Sequence, residues 1–370
     1  MNPMSRTPAP LEIAEALEKV VMGQPEAVRE MAVALSKKLR DVGVGNILLI
    51  GSSGTGKTTL MRAVEGYLSG DPELAGRSTV VRIHANVLAE ESQSGQRGQA
   101  LLLRLLNRAR EQLGSACSAQ EAIARASRGL VFVDEVDKIR SHIGGVVNTD
   151  GIRAQETLLT LIENESVPCT LPAWAGGETV DFDSRGLLFV CAGAFEGLYD
   201  AVYDRVTVGR DRGKLKAVTV MDGGKIREEH HFSLRDWLES EDLFEYGLTP
   251  QFLSRFDAVV LLNDLEVEAL VEIFLGSPDS GLRQARDYFA TRDIKLAVSP
   301  AAARRIAVEA SRQPRMGARA LKEVFRRVIR DHEYDPSVIE GGAGRTLVID
   351  LPEVEAALDR DRGARASSRP

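Results

Sequence analysis

Apolar residues recur along this chain in two rhythms, one at helical spacing and one in short unbroken runs, and the two alternate. Leu11–Val21 repeats its apolar positions every three to four residues, which predicts a helix, and Pro25–Val42 restarts one after a turn at Gly23. Asn46–Ile50 is an apolar run too short for a helix and is read as a buried strand. Ser78–His84, Gly129–Val133 and Gly186–Cys191 read the same way. The helical stretch Gly98–Leu113 lies between the first two of these, and Ile152–Glu163 precedes the last. Such alternation predicts an α/β fold, a parallel sheet flanked by helices.

After Asp264 the rhythm changes. Leu265–Asp331 is a succession of amphipathic helices (EVEALVEIF, SGLRQARDYFATR, SPAAARRIAVEASR, ARALKEVFRRVIRD) with little strand signal, and Arg345–Leu351 predicts a last strand. The expected organisation is a flexible arm over 1–10, a large α/β domain over 11–264, a small mainly helical lid over 265–355, and a disordered tail over 356–370. Neither an internal repeat nor low complexity appears between the ends.

Composition narrows the partners. The 370 residues carry 47 Lys and Arg against 54 Asp and Glu, a net charge of −7, which counts against nucleic acid or an anionic membrane surface as a general partner. The three cysteines, Cys117, Cys169 and Cys191, have neither metal-ligand spacing nor a disulfide pattern, and read as reduced thiols. The start MNPMSRTPAP lacks the apolar core of a signal peptide, and no apolar run is long enough to span a bilayer, so a cytoplasmic location is expected.

Two motifs carry chemistry. Gly51-Ser52-Ser53-Gly54-Thr55-Gly56-Lys57-Thr58 satisfies G-x4-G-K-[ST] and sits after a predicted strand and before a predicted helix, Thr59–Ser69. Its glycines let backbone N–H groups converge on phosphates, and the helix N-terminus adds partial positive charge. Lys57 would neutralise the β- and γ-phosphates of ATP, and Thr58 would give its hydroxyl to Mg²⁺. With Thr59, these residues form the expected nucleotide site. Downstream, GLVFVDE (Gly129–Glu135) is a buried strand ending in two carboxylates. Asp134 stands at the strand end, where ligands of open α/β sheets gather, and is expected to hold Mg²⁺ through water. Glu135, one residue on, is expected to point the other way and to orient or deprotonate the attacking water.

Seven stretches then match in order: VVMGQPEAV (Val20–Val28), GSSGTGKT, GLVFVDEVDKI, AQETLLTLIE (Ala154–Glu163), LLFVCAGAFEGL (Leu187–Leu198), DLFEYGLTPQFLSRFD (Asp242–Asp257) and RMGARALKEV (Arg315–Val324). Together they closely resemble the AAA+ family, in its ClpX and HslU branch. The resemblance implies a phosphate-loop ATPase domain followed by a lid, assembled as a homo-oligomeric ring of six. It implies that Val20 and Val21 line the adenine pocket. It makes Arg255 the arginine finger that completes a neighbouring subunit's site in trans, and Arg319 the sensor-2 arginine that reaches the γ-phosphate from the lid. Cys191–Ala194 takes the sensor-1 place without a polar side chain, so no catalytic role is assigned there.

The chain also departs from that family. Where its unfoldases grip polypeptide with an aromatic-hydrophobic pair, this chain has Ser92-Gln93-Ser94-Gly95, and no Phe, Trp or Tyr occurs from Ile83 to Gly129. The basic loop before the sensor-1 strand, the apolar peptidase-docking tripeptide, the zinc-binding N-terminal domain and the large intermediate insertion are expected to have no counterpart here. Lys214–Phe232 reads instead as a hairpin turning at Asp222–Gly224, either surface decoration or a docking element. Its His230 and His231 are adjacent and face opposite ways on a strand, a poor metal pair.

The expected function is therefore ATP hydrolysis driving the remodelling or unfolding of a protein partner, without ordinary peptidase docking. Three other readings stay open: a protease-associated unfoldase with different docking residues, a DNA-translocating motor, and an ATP-switched scaffold that scarcely turns over.

Overall fold

The four apolar runs expected as buried strands all enter one parallel sheet. The computed structural model describes residues 7–94, 98–163, 166–207, 216–222, 225–231, 234–336, 339 and 345–367. In chain order its strands begin with β1 (Asn46–Ile50), β2 (Val80–His84), β3 (Leu130–Asp134), the ribbon β4–β5 (His142–Ile143, Val146–Val147) and the ribbon β6–β7 (Val167–Thr170, Thr179–Phe182). They continue with β8 (Leu188–Gly193), the antiparallel pair β9–β10 (Lys216–Asp222, Lys225–His231), β11 (Phe256–Leu261), β12 (Ile294–Val298) and β13 (Arg345–Ile349). The chain divides into two compact units, one holding Thr7, Val33–Ile50 and Leu68–Leu261, the other Pro8–Ala32, Gly51–Tyr67 and the residues from Leu262 onward.

The first unit is built on the five-stranded sheet, in the order β11-β1-β8-β3-β2 with every neighbouring pair parallel. A parallel sheet is covered on both faces, which is why β3 and β8 read as unbroken apolar runs and are buried along almost their whole length. Leu48, Val131, Val133 and Phe189 from the strands pack with Leu102, Leu105 and Leu106 of helix Gln99–Leu113 and with Leu158 and Leu161 of helix Thr149–Glu163. Because the strands are parallel, β1, β3 and β8 all end on the same edge, and the residues that follow them in sequence are Gly51, Glu135 and Ala194.

The second unit has its own core. Helices Val267–Gly276, Gly281–Ala290, Pro300–Ser311 and Ala318–Tyr334 contribute Phe274, Phe289, Ile306, Val324 and Phe325 to it. Periodicity alone missed a strand here. β12 lies within the stretch read as helical, pairs in parallel with β13, and buries Ile294 and Leu296. Its partner is some fifty residues away in sequence, and a five-residue strand has no local signal without that partner.

Other bounds differ for physical reasons. Helix Pro25–Lys38 stops four residues before Val42, ahead of Asp41, whose φ of 54° is left-handed. The helix expected from Thr59 starts at Lys57, inside the phosphate motif, so the loop and the helix share that turn. Helix Leu351–Ser367 runs through most of the segment expected to be a disordered tail from 356: Val354, Ala357 and Leu358 form a buried i, i+3, i+4 stripe on the second unit's core. Of the hairpin expected over 214–232, Lys216–Asp222 and Lys225–His231 pair in antiparallel register as β9–β10, while residues 214, 215, 223, 224 and 232 lie outside the described residues. Met1–Arg6 of the N-terminal arm and Gly95 of the expected gripping position lie outside the described residues.

Phe289 is fully buried at the centre of the second unit. Its truncation, Phe289→Ala, is expected to cost about 3–5 kcal/mol of that unit's stability. Urea titration followed by circular dichroism should show the corresponding shift of midpoint; an unchanged midpoint would contradict the assignment of this core.

Candidate nucleotide site

The phosphate loop is shaped by close backbone approach. Gly54 has φ 77°, and a Cβ there would meet the Met316 carbonyl oxygen at 2.2 Å. Gly317 is equally constrained, since a Cβ would come within 2.7 Å of the Gly54 carbonyl group. Between these two glycines the Ala318 N–H donates to the Gly54 carbonyl at 3.1 Å, so helix Ala318–Tyr334 begins against the loop. One residue further, Arg319 Nη1 donates to the Ser53 hydroxyl at 2.5 Å. The arginine expected to act from the lid is thus brought to the loop.

Inside the loop, Lys57 is 9% exposed and its ammonium donates to the carbonyls of Gly51 at 2.5 Å and Ser52 at 2.8 Å. Thr55 is buried and its hydroxyl donates back to Ser52. Gly56, with φ 108°, accepts the Leu60 N–H and opens helix Lys57–Gly70. Thr58 is half-buried, Thr59 exposed.

The loop's outer side is held by a residue to which sequence reading gave no role. Gln24 is 2% exposed. Its Nε2 donates to the Thr55 carbonyl at 2.9 Å and the Asn263 carbonyl at 2.8 Å, while its Oε1 accepts the Asn263 N–H at 2.8 Å. One amide therefore ties the loop to Asn263, which precedes the lid helices, and leaves no buried polar atom of its own unpaired. The signal was present in the GQ of VVMGQPEAV, a glutamine between apolar residues. Gly23 before it needs φ 75° and packs against Leu265 and Ala269. Of the two valines expected at the adenine, Val21 is buried and Val20 is 44% exposed.

The acidic pair lies in the first unit. Asp134 is half-buried at the end of β3, and its Oδ1 accepts the N–H of Glu135 at 2.9 Å. Glu135 does not continue the strand's alternation, as sequence reading expected. Its backbone is left-handed, φ 61° and ψ 37°, which turns the chain at once into the 3₁₀ turn Val136–Lys138. A left-handed non-glycine residue stores strain of about 1–3 kcal/mol, and such residues cluster where side-chain placement matters. The Glu135 carboxylate is exposed and lies 3.8 Å from His84 Nδ1, at the end of β2.

Asp137 was also given no role and proves to be a buried brace. It is 2% exposed, and its Oδ1 accepts the Ala194 N–H at 3.0 Å. Gly193 leaves room for it, since a Cβ there would stand 2.8 Å from that same oxygen. The end of β8, which lacks a polar side chain over Cys191–Ala194, is therefore linked to the acidic segment through its backbone.

Arg255 is placed elsewhere. It precedes β11, so it stands at the starting edge of the sheet, where it forms an ion pair with Glu163 and is about half exposed. Asp134 stands at the finishing edge of β3, three strands away in the order β11-β1-β8-β3. Strand rise and spacing put the two about 16 Å apart along the strands and about 14 Å apart across them, about 20 Å in all. Within one chain, then, Arg255 does not join Asp134 and Glu135.

The profile of the AAA domain (Cdc48 subfamily) matches residues 43–259, and that of the C-terminal, D2-small domain of ClpB protein matches residues 265–335. The ATP-dependent Clp protease ATP-binding subunit ClpX 3 of Methylococcus capsulatus is 30% identical, over 92% of this chain and 82% of that protein. The ClpX subunit of Porphyromonas gingivalis is 27% identical over 96% and 83%, and that of Treponema denticola 27% over 92% and 81%. The chain belongs to the AAA family of ATPases as a ClpX-like member.

Proposed function

We propose that this chain is an ATP-driven remodeller of protein partners that works as a homo-oligomeric ring, in which Arg255 of each copy completes the nucleotide site of the next. The observation that carries the reading is the separation of about 20 Å between Arg255 and Asp134 across one parallel sheet. An arginine so placed has no use at its own acidic pair, yet it is half exposed at a sheet edge, where a second copy can receive it.

In this scheme the loop Gly51–Thr58 wraps the phosphates with backbone N–H groups, and Lys57 neutralises their charge. Val20 and Val21 border the adenine. Thr59 follows Thr58 in the first turn of the helix. The Thr58 hydroxyl and the Asp134 carboxylate are hard oxygen donors of the kind that suits Mg²⁺, which when bound would offset charge on the phosphate oxygens. Glu135 orients a water for in-line attack on the γ-phosphorus and accepts its proton. Arg255 from the neighbour stabilises charge on the transferring group. Arg319, already on Ser53, reports the change to helix Ala318–Tyr334.

The functional division we adopt is an ATPase domain over 11–264 and a lid over 265–355, supported by the lid profile beginning at residue 265. No helix among the described residues is long and apolar enough to cross a membrane, and we take the ring to be cytoplasmic. The names of the relatives favour a polypeptide as the object of the work. The polar stretch at 92–95 and the β9–β10 pair favour a dedicated partner over an ordinary peptidase.

Purified protein is expected to assemble with ATP and to hydrolyse it; binding without turnover would leave only a nucleotide-switched scaffold. Lys57→Ala should abolish nucleotide binding, read by calorimetry. Glu135→Gln should bind and assemble normally while turnover falls about 10²–10⁴-fold. Arg255→Ala should lower kcat by about 10³-fold with nucleotide affinity nearly unchanged; intact turnover removes it as the finger. Gln24→Ala removes the hydrogen bonds to the carbonyls of Thr55 and Asn263 and to the Asn263 N–H, and nucleotide affinity should weaken about tenfold. Equal affinity would show that the loop holds its shape without Gln24.

A further inference from the structure

Helix Thr149–Glu163 carries a side chain that this scheme does not use. Gln155 is 1% exposed, and its amide is spent on three backbone groups. Nε2 donates to the carbonyls of Ile139 at 2.7 Å and Gly247 at 2.9 Å, and Oε1 accepts the N–H of Thr249 at 2.8 Å. The partners belong to two segments far apart in sequence, each leading directly to a proposed catalytic group.

On one side, Ile139 closes the single turn that starts at Glu135. The Lys138 N–H donates to the Glu135 carbonyl at 3.0 Å, and the Ile139 N–H to the Val136 carbonyl at 3.3 Å. On the other side, Thr249 is the N-cap of the one-turn helix Pro250–Leu253, its hydroxyl accepting the Phe252 N–H. Arg255 follows two residues after that helix. A second stitch joins the same two segments, since the Ser141 N–H donates to the Gly247 carbonyl at 2.8 Å. The far end of helix Thr149–Glu163 holds Arg255 itself, through the ion pair with Glu163.

A buried glutamine often only satisfies a turn. The placement here adds something, because Glu135 and Arg255 stand about 20 Å apart and address two different nucleotides. With three short bonds from one amide, neither segment can shift by about 1 Å alone without leaving a buried carbonyl or N–H unpaired. The amide therefore resists a shift of one segment relative to the other.

We infer that Gln155 is a positioning residue that couples the two nucleotide sites in which each subunit takes part, by tying the turn after Glu135 to the helix that presents Arg255. The inference rests on the proposed role of Arg255 in trans. On this account a change at a subunit's own Glu135 reaches the neighbour through the Gln155 amide and the one-turn helix Pro250–Leu253.

Mixed rings test it. Subunits carrying Lys57→Ala cannot use ATP and serve wild-type neighbours only through Arg255. Wild-type protein is mixed with a fixed excess of Lys57→Ala subunits, or of Lys57→Ala/Gln155→Met subunits, and ATP turnover per wild-type subunit is compared. Co-assembly is checked by light scattering. Turnover should fall about tenfold when the inactive neighbour carries Gln155→Met, because a misplaced catalytic group costs rate without contact to the nucleotide. Equal turnover in the two mixtures overturns the inference. If Lys57→Ala/Arg255→Ala subunits also leave turnover equal to the Lys57→Ala mixture, it is the role of Arg255 in trans that has failed. Should Gln155→Met subunits not assemble, Gln155→Asn is read the same way, since it keeps the amide and shortens its reach by one methylene.

Discussion

Five strands that all run one way place every strand start on one edge of a sheet and every strand end on the other. Most of what is functional in this chain follows from that direction. The ends of β1, β3 and β8 deliver the phosphate loop, the Asp134–Glu135 pair and the Cys191–Ala194 segment. The start of β11 delivers Arg255 to the opposite edge. A chain built this way separates its acidic pair from Arg255 by construction, and in the proposed ring a second copy would supply what distance withholds. The proposed ring is in this sense a consequence of strand direction as much as of any interface.

Within each unit, loop shape is kept by a small number of hydrogen-bonded buried polar groups. Gln24 holds the phosphate loop to Asn263. Asp137 holds the acidic segment to Ala194, and Gln155 holds it to the turn before Arg255. Each sits in a low-dielectric interior, where a satisfied polar group rigidifies and an unsatisfied one is costly. Bare backbone contact does the same work at Gly54 and Gly317, where neither residue has room for a side chain.

The sequence was a good guide wherever the signal was local. The phosphate motif, the acidic strand end, the β9–β10 hairpin and the amphipathic helices all showed in periodicity or spacing. Resemblance to the AAA+ family added Arg319, whose guanidinium donates to the Ser53 hydroxyl. What escaped was set by distant partners. β12 is a strand because β13 lies beside it. The stretch Leu351–Ser367 is helical because Val354, Ala357 and Leu358 find a core. The left-handed turn at Glu135 has no local signal, since glutamate is an unusual residue for it. Gln24, Asp137 and Gln155 look like any polar residue in a helix or loop until their three-dimensional partners are known.

The central claim is that Arg255 acts on a neighbour's nucleotide while Glu135 acts on its own. The most direct measurement mixes two inactive variants, Glu135→Gln and Arg255→Ala, and follows ATP hydrolysis. Each alone forms rings in which every site lacks either the base or the finger. In mixed rings, an Arg255→Ala subunit keeps Glu135 and receives Arg255 from a Glu135→Gln neighbour, so part of the turnover should return. Mixed rings as inactive as either parent would contradict the account.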